Sequence, residues 1–120
     1  MFMQLDAPCE RVNKDAIDAI VSHLPNEDAI LRISNIFHAL RSEPRLTIMY
    51  LLLEKDMCVC ELERALGMTQ SAISHNLRTL RQLDLVRVRK DGRFAVYSVA
   101  DEHVRALLEL SRSHVMGCAQ

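Results

Sequence analysis

Apolar residues recur along this chain with two different periods. In "NKDAIDAIVSHL", from Asn13 to Leu24, they fall three and four apart, which predicts a helix broken by Pro25 and Asn26. From Asp28 to Leu40 the apolar face is Ile30, Ile33, Ile36, Phe37 and Leu40. Ser42 stands where it can cap a third helix, with Pro44 in its first turn, through "RLTIMYLLLE". Two shorter helices follow: "CELERALG", ended by Gly67, and "TQSAISHNLRTLRQL", capped by Thr69. The period then drops to two. "LVRVRK" and "RFAVYSV" alternate around the turn signal "DG", predicting a two-stranded ribbon. A last helix, capped by Asp101, carries Val104, Leu107, Leu108, Leu110 and Val115 on its apolar side.

This order predicts a mainly α fold with a β-hairpin wing. A short helix, a tight turn at "GMT", a polar second helix and a basic hairpin together read as a winged helix-turn-helix. With 120 residues the expectation is one domain over 1–120, with residues 1–12 forming a flexible polar arm that contains Cys9. The composition, 49% hydrophobic and 26% charged, is that of a globular chain. Apolar runs such as "IMYLLL" are far too short to span a bilayer, and the start of the chain lacks the pattern of a signal peptide. We therefore expect a cytoplasmic protein with no membrane partner, its four cysteines reduced, so that metal binding or a reactive thiol is a better first reading than a disulfide.

Charge is unevenly spread. The formal net charge is −1, yet Thr69 to Ser98 holds six basic residues against two acidic ones, a net of +4, while residues 1–68 carry −4. A cationic patch on an acidic body is the footprint of a phosphate-binding face. A helix fits the DNA major groove, and Gln70, Ser71, Ser74, His75 and Arg78 are the side chains placed to meet base edges and phosphates. In the wing, Arg89, Lys90 and Arg93 flank the turn and suit the backbone or an adjacent minor groove. The plainer reading of "SAISHNLRTL", a surface helix packing Ala72, Ile73, Leu77 and Leu80 inward, holds for the apolar set. No phosphate loop, nucleophile triad or paired catalytic carboxylates appear, so an enzyme is not expected.

The stretch from Leu40 to His103, "LRSEPRLTIMYLLLEKDMCVCELERALGMTQSAISHNLRTLRQLDLVRVRKDGRFAVYSVADEH", resembles the ArsR/SmtB family of metal-responsive repressors. "CVCEL" before the reading helix, a cysteine in the arm, and "DEH" with a later His on the last helix make the CadC-type cadmium and lead sensors the nearest resemblance. The resemblance implies a homodimer, with residues 101–116 as its dimerisation helix, that represses by binding operator DNA without metal and releases it on binding Cd(II), Pb(II) or Zn(II). It implies no organic cofactor. The alternative is a repressor of the same fold that responds to arsenite or to thiol oxidation.

Cys58 and Cys60 raise a geometric question. Residues i and i+2 of a regular helix point to nearly opposite sides, so this pair can chelate one ion only at a helix start. A helix N-terminus also favours thiolate, the ligand form, and soft thiolates select soft or borderline cations. The resemblance supplies a third donor, Cys9 from the other protomer's arm. CadC-type relatives bring two arm cysteines where this chain has only Cys9, and arsenic-sensing relatives often have a third cysteine where Glu63 stands. Three sulfurs alone, or with water, Asp6 or Glu10, fit this chain better than four. Two buried small cysteines, or a redox pair beside the acids Asp56 and Glu61, are the competing readings.

The last helix offers Asp101, His103 and His114. Eleven residues separate the histidines, about 16 Å along a helix, too far for one ion within a chain. Two such helices antiparallel across a twofold axis join Asp101 and His103 of one chain to His114 of the other, the pattern of the zinc site of SmtB-type relatives. The family's fourth ligand position is Gly117 here, and Cys118 can substitute only if the helix continues past it. The competing reading is two surface histidines. His23 and His38 get plain readings, His38 as a packed or interface residue.

Overall fold

Short polar side chains start the helices where the sequence places them. The computed structural model describes residues 9–117. α1 (Lys14–Ser22) begins where Asn13 Oδ1 accepts the Ala16 N–H at 3.1 Å, and α2 (Glu27–Leu40) where Asn26 Oδ1 accepts from Ala29 at 2.8 Å. Ser42 Oγ caps α3 (Glu43–Glu54), Thr69 Oγ1 caps α5 (Gln70–Gln82) and Asp101 Oδ1 caps α6 (Glu102–Met116). Each cap satisfies an amide that has no partner inside its own helix. α4 (Val59–Leu66) ends at Gly67, whose φ of +67° is the left-handed C-cap that glycine adopts without a Cβ clash.

The end of α5 has no such glycine. Asp84 takes the left-handed position, φ +57°, and the paired bonds Leu85 N–H to Leu80 C=O (2.9 Å) and Asp84 N–H to Arg81 C=O (3.1 Å) close a Schellman motif. This reverses the chain into β2.

The wing differs from expectation in two details. The sheet has three antiparallel strands, in the order β1-β3-β2, comprising β1 (Met57–Cys58), β2 (Val86–Asp91) and β3 (Phe94–Val99). The additional strand β1 pairs Met57 with Tyr97 and Cys58 with Val96. Two residues are too few to show a period of two, so no pattern along the chain marks it. The hairpin loop is Gly92–Arg93, since Asp91 pairs with Phe94, and positive φ at Gly92 alone fits a type II′ turn.

Two compact units divide the chain, Met1–Ile33 and Ser34–Gln120. The second holds the buried core: Ile48, Met49 and Leu52 of α3, Leu62 of α4, Ile73, Leu77 and Leu80 of α5, Leu85, Val86, and Leu108 of α6. Tyr50 Oη donates to the Leu108 carbonyl at 2.7 Å and the Arg112 guanidinium lies 5.1 Å from the Tyr50 ring, tying α6 to α3. Helix, turn, helix and wing are thus built on one apolar centre, and the fold is a winged helix-turn-helix.

Several predicted apolar faces are not buried within one chain. Ile17, Ile20, Val21 and Leu24 of the first unit are about half exposed or more, as are Ile30 and Leu31. On α6, Leu108 is buried while Leu110 is 70% and Val115 83% exposed, so the expected apolar side is only partly covered within one chain. At 100° per residue, Leu110 turns about 200° away from Leu108. Val115 lies on the packed side but lines an open apolar groove with Leu46 and Tyr50.

Candidate nucleic-acid interface and thiol site

α5 presents one polar arc over a buried apolar one. Ile73, Leu77 and Leu80 are buried and Ala72 is half-buried, as expected, while Gln70, Ser71, His75 and Arg78 are exposed and Ser74 is half-buried. At 100° per residue, those five polar side chains fall within an arc of about 140°. Arg81 falls in the same arc and was not among the residues singled out from sequence. Its spacing from Arg78 (i+3) and Ser74 (i+7) was the signal that marks it.

In the wing, Lys90 before the turn and Arg93 within it are exposed, and the Arg93 guanidinium sits 5.7 Å from the Phe94 ring. Arg89 is engaged. Its Nη1 donates to Asp56 Oδ2 at 2.8 Å, an ion pair joining residues 33 apart in sequence that no pattern along the chain reveals.

Cys58 closes β1 and is also the N-cap of α4, with φ −86° and ψ 172°, an extended conformation. The opposed geometry of i and i+2 in a regular helix therefore does not govern this pair. Cys60, in the first turn of α4, is exposed; Cys58 is half-buried; both thiols are free. Glu61 organises the helix start: Oε1 accepts the Cys58 N–H at 3.1 Å and Oε2 accepts Lys55 Nζ at 2.8 Å. The Lys55 bond, then the Cys58 N–H, holds the Glu61 carboxyl below the ordinary carboxylate range, and Glu61 in turn raises Lys55. Asp56 and Glu61, the two acids near the thiols, are thus each matched by a cation.

Cys9 and Glu10 are exposed residues of the first unit, and Cys9 is a free thiol. Asp6 and Cys118 lie outside the described residues. Among the described residues, no three His, Cys, Asp or Glu side chains converge as a metal-holding group. The donors come as pairs, Cys58 with Cys60 and Asp101 with His103, whose Oδ1 and Nδ1 are 3.8 Å apart. Asp101 is committed to its cap: the Val104 N–H is the main cause that lowers its carboxyl, with the His103 charge adding to it.

His103 and His114 are both exposed, at opposite ends of α6. The helix ends at Met116 with Gly117 as its C-cap, and Cys118 lies outside the described residues. His38, read as a packed or interface residue, is exposed within one chain, and His23 Nδ1 is hydrogen-bonded to the Ala19 carbonyl at 2.7 Å.

Comparison with known proteins bears on this arrangement. Residues 42–88 match the family model described as bacterial regulatory protein, arsR family. A protein named transcriptional repressor SmtB homolog, from Synechocystis sp., is 34% identical over 87% of this chain and 79% of its own length. The cadmium resistance transcriptional regulatory protein CadC homolog of Staphylococcus aureus is 31% identical over 86% and 85%. The solution structure of the homodimeric winged helix-turn-helix DNA-binding domain of Mb0332 from Mycobacterium bovis superposes with a TM-score of 0.69 at 29% identity, over 77% of this chain and 87% of that one. The chain belongs to the arsR family of bacterial regulatory proteins, DNA-binding transcriptional regulators rather than enzymes.

Proposed function

We propose that this protein is a metal-sensing repressor that binds operator DNA as a homodimer and releases it when Cys58 and Cys60 take up a soft or borderline cation such as Cd(II), Pb(II) or Zn(II). The observation that carries this reading is the position of Cys58, which belongs both to the start of α4 and to the strand hydrogen-bonded to the wing. Cys58 faces Val96 across β1 and β3, Val96 faces Arg89 across β3 and β2, and Arg89 returns to Asp56, two residues before Cys58. This closed ring joins the thiols to the DNA-facing ribbon.

Cys58 and Cys60 are the primary donors, and Cys9 of a second copy supplies the third sulfur that one chain's described residues do not place beside the pair. The cation supplies a single point of attraction for thiolates. Cys58 and Cys60 turning towards it change the backbone at the N-cap, and β1 carries that change into β3. The Asp56–Arg89 pair and the hairpin then shift relative to α5. On DNA, α5 uses Gln70, Ser71, Ser74, His75 and Arg78 in the major groove, and the wing uses Arg89, Lys90 and Arg93 on the backbone. Asp101 and His103, with His114 of the other copy, form a second set of donors at the dimer helix.

A second reading keeps the fold and the thiols but makes arsenite or thiol oxidation the signal. Its oxidation form is favoured by the two free thiols of Cys58 and Cys60, which need no third donor to react with each other. Cd(II) titrated into reduced protein, followed by thiolate-to-metal absorbance, tests the first reading. We expect stoichiometric uptake by wild type and its loss in Cys58→Ser/Cys60→Ser, and equal uptake by both would contradict it.

A further inference from the structure

α5 and the central strand β3 enclose a recess of about 190 Å³ lined by Ser74, Leu77, Arg78, Arg81 and Tyr97. Buried Leu77 belongs to the core, and the polar members are two guanidiniums and two hydroxyls, with no carboxylate among them. Ser74, Arg78 and Arg81 stand at i, i+4 and i+7, one stripe of the helix, so the two cations share a wall. Among the described residues neither arginine forms an ion pair with a carboxylate. Two unneutralised like charges on neighbouring turns repel, and an anion between them relieves that repulsion.

We propose that this recess is a seat for one phosphodiester of the DNA backbone, held by Arg78 and Arg81 with the Ser74 and Tyr97 hydroxyls as further donors. Guanidinium groups meet phosphate oxygens in pairs, and hydroxyls on a rigid helix and a central strand add direction to the contact. The contact fixes the depth and register of α5 on the duplex without reading sequence. It is separate from the wing tip, where Arg93 is part of the hairpin loop and Lys90 precedes it in β2. The inference rests on α5 being the DNA-facing helix, and it adds Arg81 and Tyr97 to the interface.

The test uses the full-length protein and a labelled mixed-sequence duplex, titrated by anisotropy over a range of salt concentrations. Wild type, Arg81→Gln, Arg81→Lys and Tyr97→Phe are compared, with folding checked by circular dichroism. Arg81→Gln should weaken binding roughly three- to tenfold and lower the slope of log affinity against log salt by about one, whatever the sequence of the duplex. Arg81→Lys should keep the slope and lose part of the affinity, and Tyr97→Phe should lose about two- to threefold with the slope unchanged. An unaltered slope in folded Arg81→Gln overturns the proposal, as does weakening confined to one sequence. Perturbation of the Arg81 side-chain resonances by inorganic phosphate, with the DNA slope unaltered, would assign the recess to the free ion and also overturn it. If wild type binds no duplex at all, the DNA-facing role of α5 fails instead.

Discussion

Asp84 ends α5 in the left-handed conformation, at a φ of +57°. The change of period marks the end of α5, but nothing in the pattern marks a left-handed Asp there, because glycine is the usual occupant of that position. The left-handed region costs a side-chain-bearing residue roughly 1 kcal/mol, and glycine's greater freedom in the unfolded chain offsets part of the relief. Asp84→Gly is therefore expected to raise stability by about 0.5 kcal/mol, read from the urea midpoint at unchanged m. A fall in the midpoint would show that Asp84 makes a contribution its geometry does not reveal. The caps were legible: Ser42, Thr69 and Asp101 all accept the amide their positions suggested. Thr69→Ala removes the bond that starts α5 and should cost about 1 kcal/mol, with Thr69→Ser restoring most of it. A loss well under half of that in the same denaturation series would mean that packing alone sets the start of α5.

Between elements, the sequence showed which helices and strands exist but not how the thiol segment meets the wing. Periodicity found α4, α5 and the hairpin because each repeats its own pattern over several residues. The strand β1 and the Asp56–Arg89 pair depend on contacts between distant parts of the chain, which leave no local trace. That ring makes Asp56 a positioning residue in our account. Asp56→Asn should leave Cd(II) affinity within about threefold of wild type while shrinking the ratio of DNA affinities with and without Cd(II), because Arg89 no longer follows the thiol segment. Retention of the full ratio in this variant would route the coupling elsewhere.

For the whole molecule, the exposed apolar side chains are the informative feature. Leu110 and Val115 belong to the apolar residues that the pattern assigns to α6, and within one chain they are exposed. The pattern showed that they are apolar, but it could not show which apolar positions one chain covers for itself. We propose that a second copy covers them; one structural relative of this fold is homodimeric. Leu110→Arg with Val115→Arg is expected to sediment as a single 13.7 kDa chain where wild type sediments at twice that mass, and to bind DNA at least tenfold more weakly. A dimeric variant would place the interface on other surfaces.

The most direct test of the central claim measures anisotropy of a labelled duplex from the protein's own promoter region. Reduced wild type and Cys58→Ser/Cys60→Ser are each bound to it and then titrated with Cd(II). Our account predicts that Cd(II) releases wild type by at least tenfold in affinity and leaves the double variant bound. Release of both proteins alike would move the switch to Asp101, His103 and His114, and binding of wild type indifferent to Cd(II) would contradict metal sensing through the thiol pair.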